Sequence, residues 1–245
     1  MPSLPRSHNI VGRWVPSAGA TGFRLVDRSG RSNHGTLTNM DPASDWVASG
    51  GKGALDFDGS NDFVNVEHSN SLNLSRFTIS AWVNVRSTSP ANFIVSKCVL
   101  NGNGSSQFEL RIFSGSLQLL GNAAGNSVSS SVGISANVWI HAVGSFDGVT
   151  STLYSNGLSR ATSTVINYNS TLTPLVIGTR DDRFAYFSGF IDDVTVFNTA
   201  LTANEVSEIY RLGRGYGVFP EPDFDEGFAA AGFNRRRRLI CGSNC

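Results

Sequence analysis

The feature that most constrains this chain is an alternation of apolar and polar side chains over residues 77–85. Its apolar members are Phe77, Ile79, Ala81, Val83 and Val85. A period of two places such a set on one face of a β-strand. Similar short segments lie at 93–99, 108–113, 117–120, 138–146, 152–154, 175–177 and 190–197. The pattern predicts many strands, each with one buried face.

The connections between these segments carry the residues that tight turns need. Asn, Asp or Ser precedes Gly at 101–102, 103–104, 114–115, 147–148 and 156–157. These residues tolerate the positive φ angles of hairpin turns. Gly is frequent, at 26 residues, and helical periodicity is nearly absent. We therefore predict an all-β chain in which neighbouring strands form hairpins.

The composition limits both the core and the partners. The chain has 245 residues, 40% hydrophobic and 16% charged, which suffices for one sizeable core. Lys plus Arg and Asp plus Glu number 19 each. No global field then attracts nucleic acid, an anionic membrane or an acidic substrate. Any electrostatic partner is expected to be recognised locally.

The chain start and the cysteines bear on location. The opening sequence, MPSLPRSHNIVGRW, contains Pro2 and Pro5 and lacks the apolar run of a signal peptide. No later stretch has the length of a membrane span. A soluble protein without a signal peptide is predicted. Cys98 lies in an apolar run, whereas Cys241 and Cys245 either close a small terminal loop or stay reduced.

One segment predicts a short helix near the C-terminal end. Thr202 and Glu205 have the spacing of a capping box, in which each side chain bonds the other residue's backbone N–H. Val206, Ile209 and Tyr210 then form an apolar stripe. The helix is expected to close the rim of the strand structure.

Beyond Arg211 the chain changes character. Gly and Pro become frequent, and the only charge run follows: Arg235, Arg236, Arg237 and Arg238. Four arginines can bind phosphate or the carboxylates of a neighbouring subunit, and docking into an assembly is the favoured interpretation. We predict an N-terminal extension over 1–10, a folded domain over 11–211 and an extended arm over 212–245.

Four blocks in order carry a resemblance to a known family. They are LVDRSGRSNHGTL at 25–37, GALDFDGSNDFVNV at 53–66 running toward FTISAWVNV at 77–85, VWIHAVGSFDGVTSTLYSNG at 138–157, and the tract from Ile177 to Tyr210. Together they resemble the laminin-G-like jelly-roll family of concanavalin A-like domains. The resemblance implies two antiparallel sheets packed face to face, a fold that serves lectins, glycanases and assembly proteins alike.

The resemblance also raises a metal site. Asp192 shares strand parity with Phe190 and Val194, so its carboxylate is predicted to start on a buried face, where it needs a cation or several donors. In related folds the matching aspartate often holds a structural calcium ion, and Asp27 and the turn at 33–35 would be its partners here. The alternative is a carboxylate satisfied by backbone N–H groups.

A second candidate for calcium is the loop Asp58–Asp62. Asp58, Ser60 and Asp62 bring oxygen-bearing side chains together beside Gly59. The spacing resembles the start of an EF-hand, but no ligand Glu follows at the required distance. The alternative, and the favoured interpretation, is an Asx-turn between two strands.

Candidates for ligand contact lie on one strand and one loop. Trp82 either stacks on a sugar ring or packs in the protein, whereas Trp139 is expected to pack in the core. Side chains suited to hydrogen bonding or stacking crowd one apparent loop: Arg180, Asp182, Arg183, Tyr186 and Phe187. They fit contacts to a glycan or a protein, and the alternative is a solvated turn.

Catalytic patterns are weak. A glycanase on this fold needs two carboxylates across a cleft, commonly from a Glu-x-Asp-x-Glu strand, and the glutamates here are scattered. His141 is accompanied by no serine or cysteine motif with an orienting acid. No phosphate-binding loop, dinucleotide fingerprint or zinc pattern occurs. The sequence predicts a protein that is not an enzyme.

Three functions remain in order of preference. The first is a surface-displayed binding or structural module of a phage particle, in capsid decoration, tail or fibre, anchored by the arm to itself or to other virion proteins. The motivation is the missing signal peptide, the missing catalytic pair and the basic arm. The tract HGTLTNMDPASDWV and the arm also resemble phage and environmental bacterial structural proteins. The second is a calcium-dependent lectin or adhesin for cell-surface glycans. The third is a divergent glycoside hydrolase.

Overall fold

A computed structural model describes residues 4–49, 52–98, 106–121, 127–164, 168–169, 171–180, 183 and 185–214. Over these ranges the strands are β1 (Ile10–Trp14), β2 (Arg24–Leu25), β3 (Gly35–Thr38), β4 (Trp46–Ser49), β5 (Lys52–Asp58), β6 (Phe63–Val66), β7 (Phe77–Val85), β8 (Asn92–Cys98), β9 (Ser106–Phe113), β10 (Ser116–Leu120), β11 (Ser127–Gly133), β12 (Trp139–Phe146), β13 (Ser151–Ser155), β14 (Leu158–Ser163), β15 (Leu175–Ile177) and β16 (Ser188–Phe197). Short 3₁₀ helices cover Ser7–Asn9, Pro16–Ala18 and Asn70–Leu72, and one α-helix, α1, covers Ala203–Arg214.

The strands form two sheets. Sheet A has the order β14-β13-β12-β7-β16-β5-β4, and β1 also pairs with β16. Sheet B has the order β11-β10-β9-β8-β15-β6-β3-β2. Pairing within the described ranges is antiparallel throughout. The prediction of an all-β, two-sheet antiparallel jelly-roll sandwich is confirmed.

The core lies between the two sheets. It is formed by the apolar side chains that alternate with polar ones along each strand. The main apolar cluster contains the predicted face of β7: Phe77, Ile79, Ala81, Val83 and Val85. Phe77 of sheet A packs on Phe108 of sheet B with ring centroids 5.1 Å apart. Because the apolar face of each strand points at the other sheet, a period of two is enough to build the core.

The outer face of sheet A is covered in part by α1. The predicted capping box is present: Glu205 Oε2 accepts a hydrogen bond from Thr202 N–H at 2.8 Å, and Thr202 Oγ1 accepts one from Glu205 N–H at 3.3 Å. Val206 and Ile209 join a second apolar cluster against the sheet. This cover explains why β7 is buried on both faces.

Helix α1 lies on the outer face of sheet A and contacts β7 at Trp82. Leu201 N–H, just before the helix, donates to Thr78 Oγ1 at 2.8 Å. Near the other end, Tyr210 stacks on Trp82 with ring centroids 5.6 Å apart. At Gly213 a Cβ would overlap the Trp82 indole, so the helix can approach this closely only with glycine. The C-terminal end of α1 therefore lies against Trp82, two residues before Asn84 on β7.

The predicted domain limits can be compared with these elements only in part. The first strand begins at Ile10 and the helix ends at Arg214, three residues past the predicted boundary at 211. The predicted arm beyond Arg214 lies outside the described residues. The same holds for Arg235–Arg238 and for Cys241 and Cys245.

Candidate functional site

A cleft of about 310 Å³ opens at the end of the sandwich where α1 begins. Loops from three parts of the chain line it with amide, hydroxyl and guanidinium groups: Arg31, Asn70, Asn73, Ser75, Arg76 and Asn198. Val11 and Leu74 supply apolar surface. We call this set the loop cleft. Its lining is mainly polar, and no aromatic residue is among the described residues that form it.

The central wall of the loop cleft is the segment 69–76. Ser69 caps the 3₁₀ helix Asn70–Leu72, since its side chain accepts a hydrogen bond from Ser71 N–H. Leu72 and Leu74 are buried and fix the segment to the core. The intervening Asn73 and the flanking Asn70 are therefore held facing the cleft.

A buried amide ties this wall to two other parts of the chain. Asn33 Nδ2 donates to Val11 O at 2.7 Å and to Ser71 Oγ at 2.8 Å. Because Asn33 is only 6% exposed, these bonds are shielded from water. Asn33 thus ties the wall of the cleft to strand β1.

The charge of the loop cleft is positive. Neither Arg31 nor Arg76 forms an ion pair with a carboxylate in the described part of the chain. Backbone hydrogen bonds from Thr150 and Val149, helped by the charge of Arg76, lower the pKa of Asp147. Asn73 Oδ1 is buried without a donor among the described residues. The lining of the cleft therefore carries two cationic side chains, Arg31 and Arg76.

Trp82 requires a correction. It is 3% exposed and lies beneath α1, against Tyr210 and His141. A ring enclosed in this way cannot stack on a sugar, so the prediction of a ligand contact is wrong for Trp82. The expectation for Trp139 is also wrong, because this residue is half-buried on the outer face of sheet A rather than in the core. Strand parity placed both rings on that face but did not show where α1 covers it.

The predicted ligand loop between β15 and β16 is separate from the loop cleft. The Arg180 guanidinium lies over the Phe93 ring at 5.6 Å, and that of Arg183 lies over the Phe63 ring at 3.7 Å. Tyr186 is half-buried and bridges to Thr179. Ligand binding by these residues stays a prediction.

Two neighbours of that loop complete the comparison. Asp182 lies outside the described residues. Phe187, expected to be exposed, is fully buried and meets Phe57 edge to face, with centroids 6.1 Å apart. The expectation for Phe187 is wrong because this residue already belongs to the alternation that leads into β16.

The carboxylate of Asp27 accepts four hydrogen bonds from donors within the protein. Its Oδ1 accepts hydrogen bonds from Arg13 N–H and Ser29 N–H, at 2.9 and 2.8 Å. Its Oδ2 accepts from Ser29 Oγ and Asn33 N–H, at 2.7 and 2.9 Å. Four donors match the capacity of a carboxylate, which fits the alternative interpretation and leaves little for a hard cation.

Asp192 is likewise buried, at 1% exposure, and its Oδ1 accepts a hydrogen bond from Ser17 N–H at 3.2 Å. Across the described ranges, no three His, Cys, Asp or Glu side chains come together as a metal-binding group. Calcium at Asp192 and Asp27 stays a prediction. Its test is the melting temperature with and without a chelator, since a structural ion raises it.

The Asp58–Asp62 loop forms the Asx-turn that was favoured for it. Asp58 Oδ1 accepts from Ser60 N–H at 2.7 Å and from Asn61 N–H at 3.3 Å. Burial opposes ionisation of Asp58, but these hydrogen bonds lower its pKa. Burial and the charges of Asp58 and Asp45 raise the pKa of Asp62 to about 6, against the bond from Asp58 N–H.

The raised pKa of Asp62 predicts a pH-dependent stability. Since the folded state binds this proton more tightly than the unfolded chain, stability falls as pH rises from about 4 to about 6. Asp62→Asn is expected to remove that fall and to raise the free energy of unfolding above pH 6 by at most about 3 kcal/mol. Urea titrations from pH 3.5 upward measure both proteins, with chelator present. Equal pH profiles for the wild type and Asp62→Asn would refute the raised pKa of Asp62. In a second series, calcium replaces the chelator; if calcium flattens only the wild-type profile, the ion binds at Asp62.

A buried Ser–His pair was not indicated by the sequence. Ser80 Oγ lies 2.7 Å from His141 Nε2, but the two residues are only 4% and 1% exposed beneath α1. The hollow beside them measures about 10 Å³, which is room for at most a water molecule. A substrate cannot reach this pair, so its arrangement is structural.

The loop cleft itself was missed by sequence reasoning. Its lining residues come from segments far apart in the chain, and no motif connects Arg31 with Arg76 or Asn198. The available signal was the stretch NSLNLSR at 70–76, in which amides and hydroxyls alternate with leucines between two strands. Such a stretch indicates a fixed loop with polar groups facing out.

A two-sheet antiparallel sandwich with one short helix on its outer face defines a β-sandwich domain of the concanavalin A-like class. A family model described as the concanavalin A-like lectin/glucanases superfamily, of the laminin G type, matches residues 58–207. The chain belongs to this family. A search of curated protein sequences finds no match to this chain.

Solved structures agree with the fold. The chain is similar to the binding domain of Paraclostridial Mosquitocidal Protein 1, at 16% identity and TM-score 0.61, covering 84% of this chain and 53% of that one. It is similar to domain 4 of an extracellular arabinanase from Geobacillus stearothermophilus, in complex with arabinotriose, at 15% identity and TM-score 0.66, covering 82% and 98%. It is also similar to the sialidase of Trypanosoma rangeli, at 15% identity and TM-score 0.65, covering 88% and 34%. The chain thus spans about half of the first of these structures. Among the residues described, no helix is long and apolar enough to cross a membrane.

Proposed function

We propose that this chain is a non-catalytic, surface-displayed module that binds a glycan in the loop cleft. The observation that carries the proposal is the lining of this cleft, which combines amides, hydroxyls and two arginines with apolar surface. Planar amides and guanidinium groups match the paired hydroxyl and carboxylate oxygens of sugars. Arabinotriose is bound in the complex of the similar arabinanase domain, which supports this ligand class.

The two arginines favour an acidic sugar. Neither Arg31 nor Arg76 forms an ion pair within 4.0 Å among the described residues, although Arg76 lies close enough to Asp147 to lower its pKa. A guanidinium group binds a carboxylate through two parallel hydrogen bonds. An oligosaccharide that contains uronic acid offers one carboxylate per such residue. We therefore expect tighter binding of acidic than of neutral oligosaccharides, with an affinity that falls as salt rises.

A binding role without catalysis is supported by the same lining. Glycoside hydrolysis commonly requires a pair of carboxyl groups flanking the scissile bond. None of the described residues that line the loop cleft is an aspartate or a glutamate. A sugar held there would meet donors and acceptors but no acid–base pair.

Replacing Arg76 by alanine tests this function. Loss of a charge-assisted contact is expected to weaken binding of a uronic-acid oligosaccharide about 10-fold or more, measured by isothermal titration calorimetry. Arg24→Ala is the matched control, because Arg24 is also an exposed arginine but does not line the cleft. Unchanged affinity in Arg76→Ala, or no binding across a broad glycan array, would refute the proposed site.

The location on a phage particle, as capsid decoration or as a tail or fibre component, is proposed from the sequence. Its support is the basic arm that contains Arg235–Arg238, and the resemblance of this arm and of the tract HGTLTNMDPASDWV to phage structural proteins. We expect the full chain to form a defined oligomer that a chain ending at Arg214 does not form. Native mass spectrometry compares the two, and equal assembly would exclude the arm as the anchor.

A further inference from the structure

We infer that the outer face of sheet A, just beyond the end of α1, is a docking surface for the chain's own residues 216–219. The surface is a row of three side chains on neighbouring strands: Trp139 on β12, Asn84 on β7 and Phe190 on β16. We call it the cross-strand row. It lies at the opposite end of β7 from the loop cleft, and the inference does not depend on the proposed glycan site.

The register of the strands builds this row. Trp139 pairs with Asn84 in the β12–β7 ladder, and Phe190 pairs with the same Asn84 in the β16–β7 ladder. Residues directly opposite one another in antiparallel strands have adjacent side chains on one face. That face is the one that carries Trp82, because Asn84 lies two residues further along β7. The row thus continues the surface that α1 covers.

The cross-strand row is incomplete in the described structure. Trp139 and Phe190 are each half-buried, and their rings are 6.4 Å apart. Asn84 Oδ1 between them is buried without a donor among the described residues, which is an unfavourable state for a polar atom. Beside the row, Val138 is 51% exposed. Half-covered rings around an unpaired acceptor indicate a further chain segment on this face.

The position of α1 selects the occupant. Gly213 contacts the Trp82 indole, and Asn84 lies about 7 Å further along the strand. Three extended residues span about 10 Å, so the chain after Gly213 reaches the row at Tyr216. Residues 216–219 read Tyr-Gly-Val-Phe, with two aromatic side chains and backbone N–H groups. The segment offers aromatic side chains that can pack on the half-buried Phe190 and N–H groups that can donate to Asn84 Oδ1.

A positive charge at the edge of the cross-strand row matches the acidic residues that follow Phe219 in the sequence. The exposed Arg86 lies over the Phe190 ring, 4.7 Å from its centroid, and pairs with Asp56 at 2.6 Å. After Phe219 the chain carries Glu221 and Asp223. Acidic residues that follow the docked aromatics would pass close to this guanidinium. An arm pinned at 216–219 also leaves Arg235–Arg238 available to a partner.

Photocrosslinking in the full-length chain tests the docking. Phe219 is replaced by the photoreactive residue p-benzoylphenylalanine, and the adducts are mapped by mass spectrometry. We expect most of the adduct on peptides that contain residues 84–86, 138–139 or 190 of the same chain. The matched control carries the photoreactive residue at Phe228 instead, which is expected to give no preference for the row.

Surface variants make the result specific. Val138→Asp adds a charge at an exposed position, and Phe190→Ala removes one ring, so each is expected to reduce the adduct from position 219 several-fold. Circular dichroism establishes that both variants fold, and Val138→Asp keeps the test usable if Phe190→Ala does not. Mixing with a ¹⁵N-labelled copy identifies adducts between chains. Adducts mainly between chains, adducts elsewhere on the domain, or none within the chain would overturn the inference.

Discussion

Replacing Gly189 by alanine is expected to lower the free energy of unfolding by at least about 4 kcal/mol. Gly189 lies in β16 between β5 and β7, paired with Phe57 and Val85, at a φ of 141°. A Cβ there would overlap the carbonyl oxygen of Asn84 and lie 2.9 Å from Val85 Cα. Since both atoms belong to the backbone of a central strand, neither can move without breaking the ladder.

The control for this variant is Gly133→Ala. Gly133 ends β11, and a Cβ built there has no atom within 4 Å. Its substitution is expected to change stability by no more than about 0.5 kcal/mol. Urea unfolding followed by tryptophan fluorescence compares the two variants with the wild type. If Gly189→Ala were as stable as Gly133→Ala, the close approach of β16 to β7 would be refuted.

Replacing Lys97 by methionine is expected to cost about 3 kcal/mol or more. Lys97 of β8 is fully buried, and its Nζ donates to the carbonyl oxygens of Thr171 and Thr173, at 2.7 Å each. Methionine keeps most of the apolar stem but leaves both carbonyls without this donor. The ammonium therefore holds the segment that leads into β15 against sheet B.

Thr171→Val distinguishes the hydrogen bonds that Lys97 donates to the two carbonyl oxygens from the packing of side chains around Lys97. It removes the weaker acceptor of Lys97 Nζ, Thr171 Oγ1 at 3.3 Å, together with the 2.8 Å hydrogen bond between the hydroxyls of Thr171 and Thr173, but keeps both carbonyl contacts. We expect it to cost less than about 1.5 kcal/mol, measured with Lys97→Met by thermal unfolding at one pH. A loss in Thr171→Val equal to that in Lys97→Met would mean that the carbonyl bonds contribute little.

The sequence predicted those features that depend on local spacing. A period of two identified β7 and its core face, and Thr202 with Glu205 predicted the start of α1. The Asp58–Asp62 turn followed from the affinity of an Asx side chain for N–H groups two and three residues on. Each of these results requires only residues close in the chain.

Features that depend on which parts meet in space were not predicted. The polar face of β7 was visible, but nothing in the pattern showed that α1 would cover Trp82 and stop short of Asn84. The loop cleft combines Arg31, Arg76 and Asn198 through sheet topology, which a single sequence does not contain. Lys97 lies within a predicted strand, and its burial was not predicted because lysine side chains are rarely fully buried.

Strand β7 sets a geometric relation between the two proposed surfaces. It has nine residues, about 30 Å when extended, with Arg76 just before it and Arg86 just after it. A module attached through its arm beside Arg86 would hold its cleft pointing away from the attachment. Many copies fixed on one support would then present their clefts with a common polarity. A weak affinity per cleft could add up to strong avidity, but only toward a polymer whose acidic groups recur at a spacing the copies can match.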